Sequence, residues 1–133
     1  MYLIDTDVLV HLLRGNSTVV RAMVARADDF KAISAVSFGE LIYGGNKSDH
    51  PAENIAKVHH IAANFPIIPV SEPIMERYGI MKADLVKQGQ KLEDFDLVIA
   101  ATALHLGYTL VTGNTRHFNR VPGLPIENWA EAI

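Results

Sequence analysis

Short apolar runs alternate with helical segments along the whole chain, and this alternation constrains the fold more than any other feature. The apolar and β-branched runs predict strands at Tyr2–Ile4, Lys31–Ser34, 67–70, 108–112 and, briefly, Ile126. Helical patterns lie at 8–13, after a cap at Ser17, after a cap at Ser34 or Ser37, at 51–64, at 71–88 and at Asp94–Leu106. Pro69 predicts that the third strand lies at a sheet edge. This order predicts an α/β fold with a central, mainly parallel sheet flanked by helices.

The size and composition of the chain indicate one ordinary domain. It has 133 residues and no interdomain linker or internal repeat, so we expect one domain over residues 1–133. The absence of cysteine excludes disulfides and thiolate metal sites. The longest apolar stretch, 97–104, is far shorter than the roughly 20 residues that span a bilayer, and the N-terminus lacks the basic start of a signal peptide. We therefore expect a soluble, cytoplasmic protein with no membrane partner.

The overall charge gives no support to nucleic-acid binding. The net charge is −3 with neutral histidines, whereas nucleic-acid-binding domains usually carry a basic footprint. Any such footprint must therefore be local. The best candidate is the segment 116–120, where Arg116 and His117 lie in a basic loop beside Asn114. The other histidines show no metal-ligand spacing, and we interpret them as structural.

Four polar side chains are expected at one edge of the predicted sheet. Asp5 directly follows the first strand, and Asn114 lies just past the strand at 108–112. Glu40 lies in the helix after the second strand, and Asp96 lies in the first turn of a later helix. In open α/β sheets, ligands bind beyond the carboxyl ends of the strands. The sequence therefore predicts one pocket that contains Asp5, Glu40, Asp96 and Asn114.

A cluster of three carboxylates predicts a metal site and phosphate chemistry. Neighbouring carboxylates raise one another's pKa, and a hard divalent cation removes that cost. Mg²⁺ or Mn²⁺ held by oxygen ligands activates water and stabilises charge on phosphoryl oxygens. Each residue also has a simpler explanation: Asp96 as an acid that meets the helix dipole, Asp5 as a helix cap, Glu40 as an acid on a solvated helix face, and Asn114 as a turn residue after Gly113.

Four segments in order resemble the motifs of PIN-domain ribonucleases of the VapC toxin type; they are 3–9, 37–44, 94–103 and 110–118. The ending 121–129 is also typical of these toxins. The resemblance covers essentially the full length and implies a single PIN-like domain. It implies metal ligation by Asp5, Glu40 and Asp96, with Asp94 as an extra acid. It also implies a homodimer, a VapB-type antitoxin, and endonucleolytic cleavage of RNA.

Asn114 departs from the commonest form of the fourth motif, in which Asp occupies this position. An amide adds no charge, so the sequence leaves open whether one or two metal ions bind. The segment 114–118 resembles toxins that cut initiator tRNA in the anticodon loop. We expect Arg116 and His117 to contact RNA, and we expect Thr6, Asp7 and Thr112 to support the ligands.

Two alternatives remain open from the sequence. The Asp5-Thr6-Asp7 segment also fits a haloacid-dehalogenase-type phosphatase, with Asp5 as nucleophile and Asp7 as general acid. That family needs a late acid where this chain has Asn114, and the phosphatase interpretation leaves Glu40 without a role. The other alternative is a catalytically silent PIN-fold binding protein. The presence of Asn114 where the family commonly has Asp is consistent with this alternative.

Overall fold

Five short parallel strands form the sheet of the computed structural model, which describes residues 1–131. The strands are β1 (Tyr2–Ile4), β2 (Lys31–Ser34), β3 (Ile67–Ile68), β4 (Thr109–Val111) and β5 (Ile126–Glu127). Their spatial order is β3-β2-β1-β4-β5, and every neighbouring pair is parallel. The helices are α1 (Thr6–Leu13), α2 (Ser17–Ala25), α3 (Ala35–Asn46), α4 (Pro51–Ala62), α5 (Glu72–Lys87), α6 (Asp94–Leu106) and α7 (Thr115–Phe118). The predicted α/β fold is confirmed.

The central strand β1 pairs with a neighbour on each side. Tyr2 is in register with Lys31 of β2 and with Thr109 of β4. The chain therefore extends the sheet first in one direction and later in the other, and β1 lies at the switch point. Asp5 directly follows β1, at the edge where open α/β sheets bind ligands.

Helices cover both faces of the sheet, and the alternation of side chains along each strand explains how. Leu3 and Leu110 belong to one buried cluster, which includes residues of α5 and α6. Ile4 and Val111 belong to a second cluster, which includes residues of α1, α2 and α4. Because successive strand residues point to opposite faces, strands buried on both sides are continuously apolar. This is why the strand segments could be recognised in the sequence.

Some element ends differ from the predictions, each for a local reason. Ser17 does not cap α2; the side chain of Asn16 does so, and it accepts a 3.1 Å hydrogen bond from the Val19 N–H. Of the two candidate caps of α3, Ser34 is the one used. The third strand stops at Ile68 because Pro69 has no N–H to donate, although its edge position is confirmed.

The basic segment after Asn114 is not a loop. Residues Thr115–Phe118 form the short helix α7, which is anchored by the fully buried Phe118. Among the residues that the structure describes, no helix is long and apolar enough to cross a membrane.

Candidate active site

Asp5 is a buried acid whose two oxygens are both held. It is the N-cap of α1, and its Oδ1 atom accepts a 2.8 Å hydrogen bond from the Thr6 N–H. Its Oδ2 atom accepts a 2.8 Å hydrogen bond from the Thr112 hydroxyl. Only 5% of Asp5 is exposed. Burial, followed by repulsion from Asp7 and to a smaller extent from Asp96, raises the pKa of Asp5 to about 7, although both hydrogen bonds oppose the rise.

Asp7 fixes the loop that follows β4. Its Oδ1 atom accepts a 2.8 Å hydrogen bond from the Val8 N–H, and its Oδ2 atom accepts a 2.9 Å hydrogen bond from the Gly113 N–H. A Cβ atom at Gly113 would lie 2.8 Å from that same Oδ2 atom, so this approach requires glycine. The Asn114 N–H in turn donates to the Thr112 hydroxyl oxygen at 3.0 Å. Asn114 is thereby placed beside the acids, and its own side chain is exposed.

Asp96 lies in the first turn of α6 and is paired with a histidine. Its Oδ2 atom is 2.9 Å from the Nε2 atom of His117 in α7, and both side chains are mostly buried. Burial raises the pKa of Asp96, and the contact with His117 opposes that rise. His117, which we expected to contact RNA, is therefore directed at an acid of the cluster in this structure.

Glu40 joins the cluster through a hydroxyl group. The Thr6 hydroxyl donates a 2.7 Å hydrogen bond to Oε1 of Glu40, and the hydroxyl oxygen of Ser37 lies 3.0 Å from that of Thr6. The sequence interpretation considered Ser37 only as a cap, yet it is fully buried at this contact. The three-residue spacing that puts Ser37 and Glu40 on one face of α3 is the signal that identifies it.

Asp94 is held apart from the other acids. Its Oδ1 atom accepts 2.7 Å hydrogen bonds from the Lys82 ammonium group and from the Tyr78 hydroxyl, both on α5. The bond from Lys82, and then that from Tyr78, lowers the pKa of Asp94. Arg116, which we expected to contact RNA, is exposed on α7. Within residues 1–131, Asp94 thus has a lysine partner, whereas Asp5 and Asp96 have none.

Two cavities adjoin the cluster, where the sequence predicted one pocket. A cavity of about 470 Å³ is lined by Asp94 and His117, among others. A second cavity, of about 760 Å³, is lined by Thr6 and Glu40, among others. Asp5 itself is buried next to Thr6. Thr6 and Thr112 thus connect Asp5 to Glu40 and Asn114, whereas Asp96 pairs with His117, and neither of these two cavities is lined by all four predicted residues.

The donor atoms of the cluster suit a hard divalent cation, but the side chains are not arranged around one. The acids offer only oxygen, and the buried Asp5 carries charge repulsion that a cation would relieve. Within residues 1–131, no three His, Asp or Glu side chains are arranged to hold a metal ion. Glu40 is turned towards Thr6 and Asp96 towards His117.

Comparisons with known proteins agree with this fold. The family model described as the PIN domain matches residues 2–124. The tRNA(fMet)-specific endonuclease VapC of Shigella flexneri is 31% identical over 129 residues, which are 97% of this chain and 98% of that protein. Ribonuclease VapC2 of Haemophilus influenzae is 30% identical over 128 residues, which are 96% of this chain and 97% of that protein.

Two solved complexes contain a chain of the same fold. The first is VapBC2 from Rickettsia felis bound to a DNA fragment from the promoter; its matching chain has 30% identity and a TM-score of 0.91, with 96% of this chain and 98% of that chain covered. The second is the DNA-bound VapBC of Salmonella typhimurium; its matching chain has 27% identity and a TM-score of 0.91, with 96% and 97% covered.

Proposed function

Because the chain belongs to the PIN-domain family and is similar to VapC ribonucleases along its length, we propose that it is a metal-dependent endoribonuclease, the toxin of a VapBC-type toxin–antitoxin module. One observation carries the catalytic part of the proposal. A buried carboxylate, Asp5, lies at the carboxyl end of the central strand and is repelled by Asp7 and Asp96. A buried carboxylate that is repelled by its neighbours does not stabilise the fold, but it favours the binding of a cation.

Asp5, Asp96 and Glu40 are the proposed ligands of Mg²⁺ or Mn²⁺. The bound cation would activate water and stabilise charge on the phosphoryl oxygens. The remaining contacts position the ligands: the Thr112 hydroxyl orients Asp5, and the Thr6 hydroxyl orients Glu40. Asp94 was implied as an extra ligand, but its pairing with Lys82 and Tyr78 supports a separate role.

The proposed substrate is RNA, and more narrowly initiator tRNA cut in its anticodon loop. A relative of similar length is named a tRNA(fMet)-specific endonuclease. Arg116 is exposed and adjacent to His117, so we assign it a contact with the RNA backbone that weakens with salt. Asn114 lies at the start of α7 beside the acids, where its amide can hydrogen-bond water or phosphate. Action on such an RNA would take place in the cytoplasm.

The proposed partners are a VapB-type antitoxin and a second copy of this chain. The similar chains in solved structures come from complexes entitled VapBC. An antitoxin segment with basic side chains would complement the acidic cluster and block it. This inhibition predicts that the chain cleaves RNA only when it is free of antitoxin.

The proposed activity is tested by comparing two substrates. The antitoxin-free protein is incubated with structured RNA and with p-nitrophenyl phosphate, each with Mg²⁺ and with EDTA. We expect Mg²⁺-dependent RNA cleavage that is lost in Asp5→Asn and no phosphatase activity. Phosphatase activity that is lost in Asp7→Asn would support the rival enzyme class. The structure makes that class less suitable, because both oxygens of Asp7 accept backbone hydrogen bonds. Protein that cleaves neither substrate would fit the binding-protein alternative.

A further inference from the structure

The 470 Å³ cavity beside the acids, hereafter the α5–α6 cleft, is lined by residues of α5, of the segment that joins it to α6, of the start of α6, and of α7. Its wall includes His117, whose Nε2 atom is 2.9 Å from Asp96. It also includes Leu97, which directly follows Asp96 in α6. A molecule bound in the cleft would therefore lie one side chain away from a proposed metal ligand.

The lining of the α5–α6 cleft combines an apolar floor with two ammonium groups. Val86, which is 46% exposed, provides accessible apolar surface, and the buried Leu85, Leu92 and Leu97 complete the apolar part of the lining. Lys82 and Lys91 provide the positive charge. An apolar surface accepts the face of a nucleobase, and an ammonium group binds the adjacent phosphate as a point charge. The chemistry of the cleft therefore fits a nucleotide.

The side chain of Lys82 and the backbone of Lys91 are held in place. The Lys82 ammonium group donates 2.7 Å to Asp94 and lies over the Tyr78 ring, 5.7 Å from its centroid. The Arg120 guanidinium donates 3.2 Å to the backbone carbonyl of Lys91, which ties the segment before α6 to the residues that follow α7. Groups that are already ordered lose little entropy when a ligand binds.

The charge balance of the cleft favours binding of a single nucleotide and does not favour binding of an extended phosphate backbone. Glu93 and Asp94 also line it, so two acids accompany the two lysines. Such a cleft lacks the excess positive charge with which proteins bind phosphate backbones without regard to sequence. Selectivity for a particular base would come from the fit against the apolar floor.

We propose that the α5–α6 cleft binds one nucleotide of the RNA next to the cleaved phosphodiester bond, with the base against the apolar lining at Val86 and its phosphate at Lys82 and Lys91. This assignment rests on the proposed ribonuclease function. It gives Asp94 a role that its contacts support, which is to orient Lys82 for the substrate.

A cysteine label tests the cleft directly, because the chain contains no cysteine. Val86 lines the cleft and is 46% exposed, so Val86→Cys can be labelled with a pyrene maleimide that fills the cavity. Val24→Cys on α2 is the matched control, since Val24 is 70% exposed and does not line this cleft. We expect the label at position 86 to raise KM for RNA at least about tenfold and the label at position 24 to change it less than about twofold.

A second pair of variants tests the charge without a label. Lys91→Gln should raise KM by about three- to tenfold with kcat nearly unchanged, and it should reduce the salt dependence of binding by about one unit of slope. Lys87→Gln is the control, because Lys87 is an exposed residue of α5 outside the cleft lining. Equal effects of the two substitutions would point to general charge and would contradict a defined subsite.

The outcomes separate this inference from the proposed function. If unlabelled protein cleaves RNA and the label at position 86 leaves KM unchanged, the α5–α6 cleft is not a nucleotide site, although the ribonuclease function stands. If unlabelled protein does not cleave RNA, the proposed function fails. In that case, fluorescence anisotropy of a short RNA in EDTA measures RNA binding without cleavage and still tests whether the α5–α6 cleft is a nucleotide site. Loss of RNA binding only with the label at position 86 supports it, and equal binding by both labelled variants overturns it.

Discussion

The Thr112 hydroxyl, at the end of β4, donates a 2.8 Å hydrogen bond to Oδ2 of Asp5, at the end of β1. The two strands are hydrogen-bonded neighbours, so their pairing sets the geometry of this contact. Thr112 also accepts a hydrogen bond from the Asn114 N–H. The orientation of the central acid thus depends on the core of the sheet and on the loop after β4 together.

The burial of Asp5 predicts that the metal-free protein loses stability as pH rises. The pKa of Asp5 is raised from 3.8 to about 7, so between these values the unfolded chain releases a proton that the folded chain keeps. The free energy of unfolding therefore falls with pH in this interval, by up to about 1.4 kcal/mol per pH unit for this group. Urea unfolding in EDTA at pH 5 and pH 8 measures the effect. Asp5→Asn should remove most of the fall, and an equal fall in both proteins would refute the assignment.

The contact between Thr6 and Glu40 predicts a difference between two small substitutions. Thr6→Val keeps the shape of the side chain but loses the hydroxyl that donates 2.7 Å to Glu40. We expect kcat for RNA cleavage to fall about tenfold, as is common for groups that orient metal ligands. Thr6→Ser keeps the hydroxyl and should stay within about threefold of the original kcat. If Thr6→Val is as active as Thr6→Ser, the hydroxyl does not position Glu40.

The features that could be predicted from the sequence are those that depend on neighbouring residues along the chain. The strand Lys31–Ser34 and the helix Asp94–Leu106 have the bounds that local pattern predicts. The position of Asp5 also follows from local pattern, because it needs only a buried strand and the rule for parallel sheets.

Side-chain partners were not predictable in the same way. Thr6 meets Glu40 across 34 residues of sequence, and His117 meets Asp96 across 21. Such contacts depend on how α1, α3, α6 and α7 approach one another, which no local periodicity encodes. For the same reason, the sequence could not show that Asp94 contacts Lys82 and that Asp96 contacts His117.

The different partners of Asp94 and Asp96 predict different effects on metal affinity. Asp94→Asn should leave the Kd for Mn²⁺ within about twofold, because Asp94 already pairs with Lys82. Asp96→Asn should weaken binding at least about tenfold, because Asp96 is a proposed ligand. Electron paramagnetic resonance of free Mn²⁺ measures both values under the same conditions. A larger effect of Asp94→Asn than of Asp96→Asn would reverse the two assignments.

Asn114→Asp adds an acid beside the cluster, and it should make the thermal stability of the protein more dependent on bound metal. Asn114 is the N-cap of α7, a position that aspartate also suits, so the fold should be retained. At pH 8 in EDTA, added repulsion towards Asp5 should lower Tm. Saturating Mn²⁺ should then raise Tm by more than it does in the original protein, because a ligand stabilises the state that it binds. The same Tm shift in both proteins would place residue 114 outside the metal site.

Asp5 is the central ligand of the cation in the proposed RNA cleavage. The most direct measurement is the rate of cleavage of one RNA as a function of Mg²⁺ concentration, for the original protein and for Asp5→Asn, with both shown to be folded. We predict a rate that saturates with Mg²⁺ and vanishes in EDTA for the original protein, and a rate at least about 100-fold lower at every concentration for Asp5→Asn. Cleavage that persists in EDTA, or an Asp5→Asn protein that cleaves as fast as the original, would show that Asp5 does not act through a bound cation.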